Sequence, residues 1–349
     1  MLYTRIILLS MLFLACNGKE PKKKDQNTQQ TAPAKERVYE QTFVNLGGEE
    51  QYVEIVGTSV DNPILLFIHG GPAWPQTPQL RYFNHPLTKA YTLVSWEQRG
   101  AGQSYEKNPT PKNLTLAQIV ADGHELTRWL QAKYDKKKIF LAGYSWGSLV
   151  GVQMAVEHPE NYKAYIGIAQ IVNMNEGMAL SRDWLRPKAV ANNDVEKIKS
   201  IDSLYNPAFY KDPLDHFFHQ WKLLGHYGGA VYNLGQEIEA QNAMKFYDDY
   251  RRYEWYTVWN ESAQILQKDM FAANLHPLDT LSIPVFLMEG RHDWNIPSVL
   301  AEKWLFNLRA PHKELIWFEQ SGHGPLEEEA ILFNRSMNAI PHKIKALSK

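Results

Sequence analysis

An apolar stretch, Ile139-Phe140-Leu141-Ala142, runs straight into Gly143-Tyr144-Ser145-Trp146-Gly147. Glycine-x-serine-x-glycine behind a buried-strand run demands a sharp strand-to-helix turn. In such a turn the serine takes a strained backbone conformation, and the positions two before and two after it come so close that a side chain at either is crowded out. Residues 148–157 continue with Leu149, Val150, Val152, Met154 and Val156, apolar enough for a buried helix. The reading is strand, elbow, helix, with the Ser145 hydroxyl at the open end of a sheet beside a helix amino terminus. That is an element of an α/β fold.

A serine hydroxyl is a poor nucleophile near neutral pH; it needs a base within hydrogen-bond reach and a carboxylate to orient that base. Two later segments supply candidates. Residues 283–288 read as a strand leading into Glu289-Gly290-Arg291-His292-Asp293, and residues 315–318 as a strand followed by Ser321-Gly322-His323-Gly324. Asp293 and His323 therefore belong in loops past strand ends, on the same sheet edge as Ser145. Asp293 has a second reading as the cap of a helix starting near Pro297, which would leave Glu289 as the acid. A third loop, His69-Gly70-Gly71-Pro72, follows the buried run Ile64-Leu65-Leu66-Phe67-Ile68. Its glycines let backbone N–H groups approach a reacting carbonyl, and the amides of Gly71 and Trp146 are the expected oxyanion donors, worth about 3–4 kcal/mol each. His69, His124 and His158 read as structural.

Other chemistries are excluded by pattern. Gly100-Ala101-Gly102 lacks the third glycine of a dinucleotide fingerprint, since position 105 is Tyr105, and no zinc-protease, Cys-x-x-Cys or phosphate-loop motif occurs. No cofactor or metal is expected. With 37 basic and 38 acidic side chains, no nucleic-acid partner is expected either.

Five motifs taken together carry a resemblance. They are His69-Gly70-Gly71-Pro72, Trp96-Glu97-Gln98-Arg99-Gly100-Ala101-Gly102-Gln103-Ser104, Tyr144-Ser145-Trp146-Gly147-Ser148, Gly290-Arg291-His292-Asp293 and Ser321-Gly322-His323. The chain from about Val38 onward resembles the proline iminopeptidase branch of the α/β-hydrolases. The resemblance implies a mostly parallel central sheet flanked by helices, with an inserted helical cap. It implies a cofactor-free serine peptidase that forms an acyl-enzyme and releases an N-terminal residue, often proline, from short peptides. Relatives with nearly the same motifs hydrolyse esters, lactones or amides instead, and a non-catalytic binding protein on this fold is a further alternative. Two departures stand out: Ala73 replaces a glycine, and the acidic-aromatic cap signature of the peptidases is missing.

The spacing shows where a cap fits. Asp293 follows Ser145 at a distance far beyond what a few strand–helix repeats need. A strand is expected over residues 165–172, and the sheet pattern resumes only near Ile283. Residues 38–172 and 274–349 are read as the two parts of the core and 173–273 as a helical cap, broken at Pro187, Pro207 and Pro213. The cap is rich in aromatic side chains, most of them packing the cap and some forming an apolar pocket wall. An aminopeptidase needs a buried carboxylate for the substrate's ammonium group; Glu254 is the first choice, with Glu237, Glu239 and Glu261 as alternatives.

The amino terminus carries a separate message. Arg5 precedes the apolar run from Ile6 to Leu14, then Ala15 and Cys16. A spanning helix needs about 20 apolar residues, so the run fits a signal peptide over residues 1–15. Leu12 to Cys16 resembles the lipobox of bacterial lipoproteins, and Cys16 is the chain's single cysteine. The expectation is a lipid on Cys16, a polar tether over residues 16–37, and an exported protein anchored to a bacterial membrane. Oligomeric state stays open.

Overall fold

The computed structural model describes residues 36–347. The signal-peptide and Cys16 expectations, and nearly all of the tether, lie outside the described residues. Eight strands form one sheet: β1 (Val38–Leu46), β2 (Glu49–Gly57), β3 (Ile64–Ile68), β4 (Thr92–Trp96), β5 (Ile139–Tyr144), β6 (Tyr162–Ile168), β7 (Val285–Gly290) and β8 (Lys313–Phe318). Their order is β1-β2-β4-β3-β5-β6-β7-β8. β1 and β2 pair antiparallel, as do β2 and β4, and every pairing from β4 to β8 is parallel. β3, β4, β5 and β7 are buried throughout, the pattern of strands covered on both faces.

Alternation along β3 divides the core. Ile64, Leu66 and Ile68 join Val53, Trp96 and Leu141 on one face. Leu65 and Phe67 join Phe140, Ile166, Phe286 and Phe333 on the other. Helices α1 (Thr77–Phe83), α2 (Gly102–Lys107), α3 (Leu116–Tyr134) and α4 (Trp146–Glu157) precede β6. The chain crosses to one side of β3 to make β4 and to the other side to make β5, so the strand order reverses between β3 and β5. Crevices of this kind, outside the carboxyl ends of the strands, are where open α/β sheets bind ligands.

Between β6 and β7 the described chain is helical: α5 (Met174–Ala191), α6 (Val195–Ser203), α7 (Pro213–His226), α8 (Leu234–Phe246) and α9 (Trp255–Phe271). Asn173 and Asn274 form a β-bridge across the foot of this insertion. Two local expectations are corrected. β6 stops at Ile168 instead of running to residue 172, because Ala169 turns to φ 46°, a conformation no strand accommodates. Pro187 does not break the chain but lies inside α5, whereas Pro213 starts α7, the position where a missing N–H costs nothing. After β7 come α10 (Ser298–Asn307), α11 (Pro325–Glu328) and α12 (Ala330–Leu347). No helix among the described residues is long and apolar enough to cross a membrane.

Candidate active site

Ser145 sits between β5 and α4 at φ 51°, ψ −119°. Ser145 N donates to Ile168 O (2.9 Å), and Ser148 N donates to Ser145 O (2.8 Å). A Cβ on Gly143 would collide with the backbone of Gly147, and one on Gly147 with the carbonyls of Ile68 and His69. Both glycines of the motif are thus required by close approach. The elbow is tightened from behind. The Ser148 hydroxyl donates to Ser145 O (2.6 Å) and accepts from Ile171 N (3.0 Å) and Gln170 Nε2 (3.1 Å).

The loops after β7 and β8 meet this elbow. His323 Nε2 lies 2.9 Å from Ser145 Oγ, and its Nδ1 lies 2.8 Å from Asp293 Oδ2. A carboxylate only accepts, so Nδ1 carries the proton and Nε2 offers its lone pair to the serine hydroxyl. The Asp293 side chain is fully enclosed, while that of His323 is 16% exposed, leaving the imidazole reachable from one side. Glu289, the alternative acid, faces elsewhere: it accepts from Gln170 N (3.0 Å), and burial holds its carboxyl well above the usual range. The Tyr144 ring packs beside His323, with centroids 5.3 Å apart.

The loop after β3 closes the other side. A Cβ on Gly70 would stand 3.2 Å from Ser145 Cβ, so the Gly70 backbone lies against the serine. Trp146 is the first residue of α4, where backbone N–H groups have no partner within the helix. His69 keeps a structural place: Nδ1 donates to Gly70 O (2.8 Å) and Nε2 accepts from Gln98 N (3.0 Å). Burial drags its pKa down to about 4, which keeps the ring neutral.

Strand order, elbow and loop placement are those of one family, and its profile, the Alpha/beta hydrolase family, matches residues 65–335. The chain belongs to the alpha/beta hydrolase family. A probable aminopeptidase, YbaC of Bacillus subtilis, is 26% identical over 310 residues, spanning 88% of this chain and 97% of that protein. A proline iminopeptidase of Arabidopsis thaliana is 25% identical over 320 residues, spanning 83% and 77%. Among solved structures, a proline iminopeptidase-related protein from Thermus thermophilus superposes with a TM-score of 0.62 at 19% identity, covering 89% of this chain and 98% of that one.

Several residues of this alpha/beta hydrolase's site carry no assigned role in the sequence reading. Gln98 cross-ties the two loops that hold the candidate oxyanion amides. Its Oε1 accepts from Trp146 Nε1 (3.1 Å) and its Nε2 donates to His69 O (2.9 Å). Gln76 Oε1 accepts from Gly70 N (2.7 Å). Glu97, wholly buried, accepts from Thr77 Oγ1 (2.6 Å), Gln103 N (2.6 Å) and the Tyr250 hydroxyl of the insertion. Tyr253 OH accepts from Gly102 N (2.8 Å), Ser262 Oγ donates to Gly100 O (2.8 Å) and Gln103 Nε2 donates to Asp249 O (3.0 Å), so the insertion is hydrogen-bonded to the Trp96-to-Ser104 loop at four points. Trp74, just past the His69 loop, packs on Trp255 and Tyr256 of α9 at 5.1 and 5.4 Å between centroids. The Trp96-to-Ser104 motif itself was the available signal; which partner each side chain takes was not.

The expected amine anchor is not a buried carboxylate. Glu254 lies at the N-cap of α9, exposed to solvent and making no capping bond, because the flanking Tyr253 and Trp255 take the buried positions on either side of it. Glu261 is exposed and accepts from Tyr105 OH (2.7 Å), and Glu239 accepts from Tyr82 OH (3.2 Å). The Glu237 side chain lies outside the described ones.

Proposed function

We propose that this protein is a serine hydrolase working through an acyl-enzyme, and that its reaction is release of an N-terminal residue from short peptides, as in proline iminopeptidases. The observation that carries the proposal is the continuous hydrogen-bonded chain from Ser145 Oγ through His323 to Asp293. Ser145 Oγ attacks the carbonyl carbon as its proton passes to His323 Nε2, and Asp293 holds the imidazolium. The Gly71 and Trp146 amides receive the oxyanion. The carbon–nitrogen bond then breaks as Nε2 returns the proton to the leaving amine. Water, deprotonated by the same nitrogen, hydrolyses the ester and restores Ser145. The names of the Bacillus and Arabidopsis relatives, a probable aminopeptidase and a proline iminopeptidase, support the peptidase assignment.

A second reading, an esterase, lactonase or amidase with the same machinery, is favoured by the exposure of Glu254, which leaves that site without a desolvated partner for an ammonium group. Proline, alanine and leucine arylamides, an N-acetylated proline arylamide and a short acyl ester separate the two. Cleavage of free-amine arylamides that is lost on acetylation establishes the aminopeptidase; ester turnover with no arylamide cleavage discards it. Ser145→Ala should lower kcat by about 10⁴–10⁶ and abolish labelling by a fluorophosphonate while Tm is held. A folded variant that still turns over refutes the nucleophile. For location, we propose export and anchoring through a lipid on Cys16. Cys16→Ser should move the protein from the membrane fraction to the soluble fraction, and unchanged fractionation overturns the anchor.

A further inference from the structure

The His323 loop is held by a residue that takes no part in the proposed acyl transfer. Glu328, at the end of α11, is buried and accepts four backbone N–H bonds. Oε1 receives Gly322 N (2.9 Å) and Gly324 N (3.2 Å), the two neighbours of His323. Oε2 receives Tyr232 N (2.8 Å) and Asn233 N (2.9 Å), which belong to the turn between α7 and α8 of the insertion. Around this carboxylate the same turn makes further contacts with both loops of the site. His323 N donates to Ala230 O and Trp294 N donates to Gly229 O, each at 2.8 Å. The Tyr232 ring stacks on His292 at 3.8 Å and 7°. Glu329 anchors the start of the loop separately, accepting from Gln320 N (2.9 Å) and Ser321 Oγ (2.8 Å).

We propose that Glu328 is a positioning residue that fastens the His323 loop to residues 229–233 of the insertion, so that docking of this turn and alignment of the imidazole are one event. The inference rests on the serine-hydrolase reading above. A carboxylate has about four acceptor positions, and here all are filled. Undocking the turn would strip Oε2 of both donors and leave a buried charge half-satisfied, which is costly. The economical response is for Glu328 to shift toward other donors, and its other oxygen carries the backbone on both sides of His323 with it. A displacement on the order of 1 Å at a catalytic group is enough to cost about 100-fold in rate.

The test uses the full chain with two variants and two readouts: rate of fluorophosphonate labelling with steady-state kinetics, and hydrogen exchange at the amides of Tyr232, Asn233, Gly322 and Gly324. In Glu328→Gln one end of the side chain becomes a donor, so one pair of N–H groups loses its acceptor. We expect kcat and labelling rate to fall about 10–100-fold with KM changed less than about threefold, and exchange to quicken at amides on both sides of the joint. Glu328→Asp should recover part of the loss. Tyr232→Ala removes an exposed ring and leaves Glu328 intact, so it covers the case in which Glu328→Gln does not fold; it should quicken exchange at Gly322 and Gly324 as well as in its own turn. Wild-type labelling in Glu328→Gln, or exchange in Tyr232→Ala confined to the turn, overturns the proposal. The exchange readout needs no turnover, so failure of the hydrolase reading (an active Ser145→Ala) and failure of this one are told apart.

Discussion

Asp293 gives His323 only one of its two oxygens. Oδ2 lies 2.8 Å from the imidazole Nδ1, while Oδ1 accepts the N–H groups of Asn295 (2.9 Å) and Ile296 (2.8 Å). Asp293 does not cap the helix expected near Pro297, since α10 starts at Ser298 with no side-chain capping bond; its Oδ1 ties the turn ahead of that helix instead, while Oδ2 faces the ring. The turn that holds the carboxylate also fixes which oxygen faces the ring.

That division predicts the outcome of Asp293→Asn. The two backbone donors keep the amide oxygen on their side, which turns the NH2 group toward His323. Nδ1 must then accept, the ring proton moves to Nε2, and the lone pair needed by Ser145 is gone. We expect kcat to fall by about 10⁴ with little change in Tm, measured by steady-state kinetics and thermal unfolding. A variant within tenfold of wild type would show that Asp293 does not set the tautomer.

Gln98 joins the His69 loop to the Trp146 indole. Removing it in Gln98→Ala leaves both candidate oxyanion amides in the chain but loosens their spacing. Loss of a whole donor typically costs 10²–10³ in kcat, so a misplaced one should cost about 10–100-fold, with KM altered less. Comparing kcat and KM with the wild type checks this. A lower Tm with kcat unchanged would reduce Gln98 to a packing residue.

Two buried groups give the stability opposite pH slopes. Burial pushes the Glu97 carboxyl from 4.5 up to about 7, against three donated hydrogen bonds. Between those values the folded state holds a proton that the unfolded state has released, so this contribution is present in acid and is lost as pH rises toward 7. Burial lowers His69 from 6.5 to about 4. There the unfolded state binds the proton more readily, and stability is lost as pH falls through that window. Glu97→Gln removes the first slope alone. The difference in Tm between variant and wild type should become more favourable to the variant from pH 4.5 to pH 7; parallel curves would refute the assignment.

Much of the scaffold was readable because its determinants are local. An apolar run and two glycines around Ser145 specify the elbow, since the same few residues make the collision that only glycine avoids. Strand limits were less readable: β6 ends four residues early because Ala169 adopts a left-handed conformation, which no side-chain pattern announces. Glu254 looked suitable for its aromatic neighbours, yet those neighbours took the buried positions and left it in solvent.

What the sequence determined by itself was the α/β architecture and the three loops on which Ser145, Asp293 and His323 stand, because strand periodicity, turn residues and chain order are properties of short segments. What the tertiary structure decided was who meets whom. His323 and Ser145 are 178 positions apart, and Gln98, Glu97 and Glu328 acquire their partners only when distant loops are brought together. Hydrogen bonds among such groups depend on distances of a few tenths of an ångström. Those distances are set by packing of the whole sheet and its insertion, which no local pattern encodes.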